Sequence, residues 1–247
     1  MPEPLPVLKI LLGAFLVPWW NRKAFARALA LPLALLVAWG LVWHGFVPAW
    51  PVATHWLAAS VYVPLFALFA VTCHRLVLLD PQTVARSMAP RWTWRETRFL
   101  LWMAVVWAGA AGVSVFGLTL VANVWWGGDG SLQDWFDWVK FVVSVPALYV
   151  TARLSMLFPA TAVDRRPTLR WAWERSMRNG WRLVVIVGVL PWALSQALAL
   201  AWRGEATGLE WFLFLVGGSA VFLFEIAAIS LSYRELTRDN AGKEIGL

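Results

Sequence analysis

Among the side chains that most often carry reaction chemistry, this chain has three histidines, one cysteine and fourteen acidic residues. His44, His55 and His74 are far apart, and no HExxH or HxxxH pair exists to hold zinc on one helix. There is no GxSxG elbow. A Ser-x-x-Lys pair is also missing, since the only lysines are Lys9, Lys23, Lys140 and Lys243. Gly242-Lys243 precedes Glu244 in a tail with no strand before it, which is no phosphate-binding loop. Cys73 stands alone, so neither an internal disulfide nor a CxxC site can form. Asp129, Asp134 and Asp137 around Gly130-Ser131 superficially suggest a cation loop, but they lack EF-hand spacing and its terminal glutamate. Ser131 followed by Asp134 serves as well as a capping box opening the next helix. The chain is expected to be non-enzymatic, without metal or cofactor.

The polar residues that remain informative lie inside apolar runs. Glu225 precedes Arg234 by nine residues, about 13 Å along a helix. A carboxylate at that depth costs a few kcal/mol in hydrocarbon. It should therefore face the helix bundle, partnered by Ser144, Gln196, Asn123 or an arginine. One reading makes it the proton or substrate carboxylate of a small transporter or channel. The other makes it a hydrogen-bonded structural group, since no second acid or lysine follows it along the run. Asn123 and Gln196 fit interhelical hydrogen bonding. His74, Arg75, Arg153 and Arg182 sit near the ends of runs. The three arginines suit either an anion pocket of guanidinium geometry or snorkelling to lipid phosphates. Gly109, Gly112, Gly117, Gly217 and Gly218 would let helices approach closely.

Two of these arginines belong to a repeat. From Arg75 the chain reads RLVLLDP and then RWTWRE; from Arg153 it reads RLSMLFP and then RWAWER. The arginine-to-proline spacing is 6 in both copies, and the arginine-to-RWxW spacing is 16 in one and 17 in the other. A weaker third copy, SYREL, contains Arg234, so the three arginines are 78 and 81 residues apart. Such a period points to three pseudo-repeated helical hairpins.

The elements that would hold these residues are membrane helices. The 247 residues are 60% hydrophobic and only 14% charged, where soluble domains carry roughly 25% charged residues. Six apolar segments, about 24–47, 56–79, 99–125, 139–158, 183–202 and 211–233, are each long enough to cross about 30 Å of hydrocarbon. Their backbones must be helical there, with kinks at Pro64, Pro146 and Pro191. The segment 7–17 is too short to span; with Trp19 and Trp20 it fits an interfacial helix, and Asn21 fits an N-cap for the next one. Arg22, Lys23 and Arg27 interrupt the first thirty residues where a secretory signal should be uncharged, so the N-terminus is read as retained.

Orientation follows from charge. Of the 21 basic residues, 19 lie on one side of the six spans, and only Lys140 and Arg203 lie on the other, beside Asp129, Asp134, Asp137, Glu205 and Glu210. The positive-inside rule puts both termini in the cytoplasm. Tryptophans at both ends of the spans form aromatic belts. Residues 167–177 fit an amphipathic basic helix, with Leu169, Ala172, Trp173 and Met177 on one side. Arg165, Arg166, Arg170 and Arg175 would draw anionic headgroups at about 1 kcal/mol per basic residue.

The RLSMLFPA run at Arg153, the following connector ending RNGWRL, and HRLVLL at His74 give the chain a resemblance to a group of bacterial six-helix membrane proteins. These are similar to the membrane domain attached to some glycerophosphodiester phosphodiesterases. The resemblance rests on residues 149–190 and 74–99, and elsewhere on hydropathy alone. It implies an inner-membrane helical domain concerned with envelope or lipid physiology and transfers no catalytic residue. The expectation is an all-α, single-domain polytopic membrane protein of residues 1–247, with an interfacial segment at 1–20 and a short cytoplasmic tail at 234–247. Its expected partners are anionic lipids or another membrane protein, not nucleic acid.

Overall fold

The computed structural model describes residues 4–46, 52–87, 92–125, 132–201 and 208–244. The acidic loop expected at 129–131, with Arg203 and Glu205, lies outside the described residues, as do the side chains of His44, His55, Asn123, Asp134, Asp137 and Lys140. The described chain is all-α. The helices are α1 (Val7–Trp20), α2 (Arg22–Phe46), α3 (Val52–Leu78), α4 (Pro81–Ser87), α5 (Trp94–Trp125), α6 (Leu132–Leu154), α7 (Leu157–Ala162), α8 (Leu169–Arg175), α9 (Gly180–Val184), α10 (Leu190–Ala201) and α11 (Gly208–Glu244), with a π turn at Val185–Val189 joining α9 to α10. Six stretches are long and apolar enough to cross a bilayer: Arg22–Trp43, Ala59–Leu78, Trp94–Leu120, Val143–Ala162, Gly180–Leu200 and Gly208–Arg238.

Packing is uneven along the membrane normal. Cys73, Leu76, Ala152, Leu157, Ala160, Leu183, Ile186, Ala227 and Ala228 are all fully buried, and all lie toward the arginine-rich ends of their helices. Toward the other ends, Val115, Phe116, Leu120, Trp192, Leu200 and Leu209 are exposed. Among the described residues, the bundle is therefore closed in its basic half and looser in its far half. Few positions of the span Trp94–Leu120 are buried and more than half of those in Val143–Ala162 are, which makes α5 peripheral and α6–α7 central. Exposed apolar side chains on this scale need a hydrocarbon solvent.

The connectors begin with caps written in the sequence. Asp80 accepts hydrogen bonds from Thr83 Oγ1 (2.5 Å) and Thr83 N (2.9 Å) and so starts α4. Those bonds, the hydroxyl's first, hold the Asp80 carboxyl below its usual range, so this cap is complete at neutral pH and lost as acid protonates it. At Thr93, Glu96 Oε2 reaches back to the backbone N (2.7 Å) and to Oγ1 (2.5 Å), a reciprocal cap opening α5. Thr168 accepts from Trp171 N at 3.1 Å and opens α8.

Several local expectations are corrected. Asn21 does not cap α2 with its side chain; Nδ2 donates to Val17 O at 3.0 Å and so closes α1, while its own carbonyl receives Ala24 N and Phe25 N. In α8 and the turn after it, Ala172 is buried whereas Leu169, Trp173 and Met177 are exposed. A methyl group added at Gly109, Gly112 or Gly218 would meet nothing within 4 Å, so these are not close-approach sites, unlike Gly117 against Val143 and Gly217 against Leu198.

Candidate functional site

The arginine-rich end is built around one aspartate. The helix α7 ends in a Schellman arrangement: Arg165 N donates to Ala160 O (3.0 Å) and Asp164 N to Thr161 O (3.1 Å), with Asp164 in the left-handed region at φ 64°. Glycine would adopt this conformation without strain; aspartate brings a carboxylate instead. Arg75 Nη1 donates to Ala162 O (3.1 Å) and to Asp164 Oδ2 (3.2 Å). From α5, Arg95 Nε stands 3.2 Å from Asp164 Oδ1 as an ion pair, but its N–H is not directed at an acceptor. One turn further along α5, Arg98 Nε is buried with no hydrogen-bond partner among the described residues. Glu96, the other acid on this turn, is committed to Thr93. Two guanidiniums, those of Arg75 and Arg95, thus share the Asp164 carboxylate, while Arg98 Nε one turn on has no acceptor among the described residues.

Arg153, the repeat equivalent of Arg75, does something different. It is 6% exposed and has no carboxylate within ion-pairing distance among the described residues. Its Nε donates to Ser176 Oγ (2.9 Å), Nη1 to Tyr149 Oη (3.4 Å) and Nη2 to Trp173 O. The guanidinium lies 3.6 Å over the Trp173 ring and 5.6 Å from the Tyr149 ring. A buried cation that is stacked and hydrogen-bonded on three sides is a pin between α6 and α8. Arg182 is exposed and donates to Asn179 Oδ1 at 3.3 Å. Asn179 is buried and also accepts from Leu5 N at 2.9 Å, which ties the N-terminal segment to this connector. Arg75, Arg153 and Arg182 therefore have separate protein partners rather than converging on one another.

The remaining candidates on this face are more open. Arg165 and Arg166 are exposed, Arg165 lying 6.0 Å from the Tyr233 ring. Arg170 pairs with Glu174 at 2.7 Å one turn away, an exposed pair of small energetic weight. Arg175 is half-buried and engaged. Trp19, Trp20, Trp92, Trp94 and Trp181 are exposed around them.

Deeper in the spans, His74 is buried, with Nδ1 2.7 Å from Ser230 Oγ. Ser230 already donates its hydroxyl to Ile226 O at 2.7 Å, so the ring nitrogen is the donor. His74 is thus a satisfied link between α3 and α11. Glu225 is half-buried and has no hydrogen bond or ion pair among the described residues. The expected pairing with Gln196 is not found: Gln196 is exposed on the outside of α10. An unpartnered carboxylate at this depth carries an insertion cost of about 3 kcal/mol.

No family model, curated protein or solved structure matches this chain.

Sequence reasoning missed Asp164, Tyr149, Ser176, Asn179 and Ser230. Asp164 carried a signal: between Arg153 and Arg182 the only acids among seven arginines are Asp164 and Glu174. The others are common residues whose roles depend on what packs against them.

Proposed function

We propose that this is a non-enzymatic, multi-pass protein of the bacterial inner membrane that binds anionic lipid headgroups at its basic end, in support of envelope or lipid homeostasis. The carrying observation is the pairing of both Arg75 and Arg95 with the single carboxylate of Asp164, together with Arg98 Nε, one turn further along α5, which lacks an acceptor among the described residues. A phosphodiester oxygen supplies that acceptor, and guanidinium geometry suits it. The exposed Arg165, Arg166 and Arg170 add attraction at about 1 kcal/mol each near an anionic surface. In this reading the basic end faces the cytoplasm, as the bias of 19 in 21 basic residues favours. The helix α1 lies across the inner end of α11, joined by Lys9–Glu235 at 3.8 Å, and turns Leu8, Leu12, Phe15 and Trp19 to the lipid.

The test is lipid retention. Protein extracted in mild detergent and exchanged into mixed phosphatidylglycerol and phosphatidylcholine should keep the anionic lipid preferentially by native mass spectrometry. Arg95→Gln with Arg98→Gln should lower that preference at least about tenfold, the equivalent of 1.4 kcal/mol. Substituting Arg165, Arg166, Arg170 and Arg175 by Gln should weaken it further. Equal retention of the two lipids by the unaltered protein would end this reading.

A further inference from the structure

The bundle holds a partly enclosed cleft of about 230 Å³ between α2, α3, α10 and α11. Four of its lining residues are aromatic (Tyr62, Phe69, Phe214 and Phe222), and its hydroxyls come from Tyr62, Ser195 and Ser219. Ser219 spends its proton on Leu215 O at 2.8 Å, so it offers the cleft only lone pairs.

Glu225 is not itself a lining residue of this cleft but comes next after the lining residues on α11, less than one turn beyond Phe222. On α11 it follows the lining residues Gly218 and Phe222 by seven and three positions, which puts all three on one helical stripe. The register against α3 agrees. Phe66 meets Phe222 at 5.3 Å between ring centroids and His74 meets Ser230 at 2.7 Å, both at a separation of 156 residues. The same separation sets Glu225 opposite Phe69, itself a cleft residue.

We propose that this cleft binds lipophilic monocations, of the aromatic quaternary-ammonium kind, with Glu225 as the counter-charge. The aromatic faces carry the negative side of their quadrupoles, which favours a cation seated among them. The carboxylate repels anions and has no cationic partner among the described residues. A lipid tail would fill the apolar space but would leave the carboxylate in hydrocarbon uncompensated. Entry is directly from the membrane interior, where a hydrophobic cation partitions. This site is distinct from the arginines around Asp164 and stands without the lipid reading.

The experiment uses the full chain in nanodiscs of uncharged phosphatidylcholine, so that anionic lipid plays no part. Benzyltrimethylammonium is titrated by calorimetry against its uncharged isostere neopentylbenzene. The unaltered protein should bind the cation saturably and at least tenfold tighter than the isostere. Glu225→Gln should remove that tenfold difference. Gly218→Leu, at a helical position with open space beside it, should fill the cleft and abolish binding of both compounds. Absence of saturable cation binding by the unaltered protein overturns the proposal. So does a Glu225→Gln protein that keeps the preference, or equal binding of cation and isostere, which would make the cleft a seat for lipid tails.

Discussion

At the scale of single residues, the molecule treats its arginines according to what surrounds them. Arg153 and Arg75 occupy equivalent places in the repeat, and the sequence marks both as unusual. Nothing in it distinguishes a cation held by Asp164 from one stacked on Trp173, because the partners come from segments 89 and 20 residues away. The distinction has a measurable consequence. Lysine at position 153 keeps the charge but loses the planar fork and the stack. Arg153→Lys should therefore cost about 2 kcal/mol of stability and lower the thermal midpoint in detergent, read by tryptophan fluorescence. Arg166→Gln, at an exposed residue, should leave the midpoint unmoved. Glu225 shows the opposite side of the same limit. Its depth follows from counting residues, but its lack of a partner does not. In an apolar helix the usual periodicity that separates inside from outside is missing, so Gln196 cannot be placed on the outer face from sequence.

At the scale of elements, the two repeat copies diverge for a local reason. Thr93 and Glu96 form the reciprocal cap that starts α5, whereas the matching positions of the second copy hold Ala172 and Arg175. That copy cannot make the cap, so its helix begins earlier, at Thr168, and ends before the next span. The similarity of RWTWRE and RWAWER is readable; their different structural use depends on two substitutions within the motif. A kink at Pro191 is expected from sequence, but the π turn before it is not. Pro191 has no N–H to give and its ring would collide with the carbonyl of Val187; widening the preceding turn at Val185–Val189 relieves the collision. Gly188 lies in that turn against Leu148, so Gly188→Ala forces a methyl group into the Leu148 side chain. It should destabilise by about 1–3 kcal/mol. Gly109→Ala, in the middle of α5 with nothing near it, should instead stabilise by about 0.5–1 kcal/mol. Thermal midpoints of the two variants moving in opposite directions would separate packing from helix propensity.

At the scale of the whole molecule, the number and length of the crossing helices are the most readable feature, since 60% apolar composition in six long runs leaves the backbone no other way to satisfy itself. Where the bundle closes is not readable, because every run is apolar from end to end. The closed half coincides with the arginine-rich end, where connectors α4 and α8 and helix α1 add side chains around the spans. An asymmetric body of this kind, tight at its basic end and looser at the other, makes a definite statement about sidedness. Cys73 is fully buried and should resist labelling, so it can remain or be replaced by alanine as a silent background. In spheroplasts, an impermeant maleimide should label Asp134→Cys from outside and leave Arg170→Cys untouched until the membrane is opened. The same exposure for both positions would place the two charged ends in one compartment. Six crossings cannot do that while 19 of 21 basic residues stay together, because the connectors that carry them alternate with the ones that do not. The labelling result therefore tests the helix count and the charge rule together, independently of what the basic end or the cleft binds.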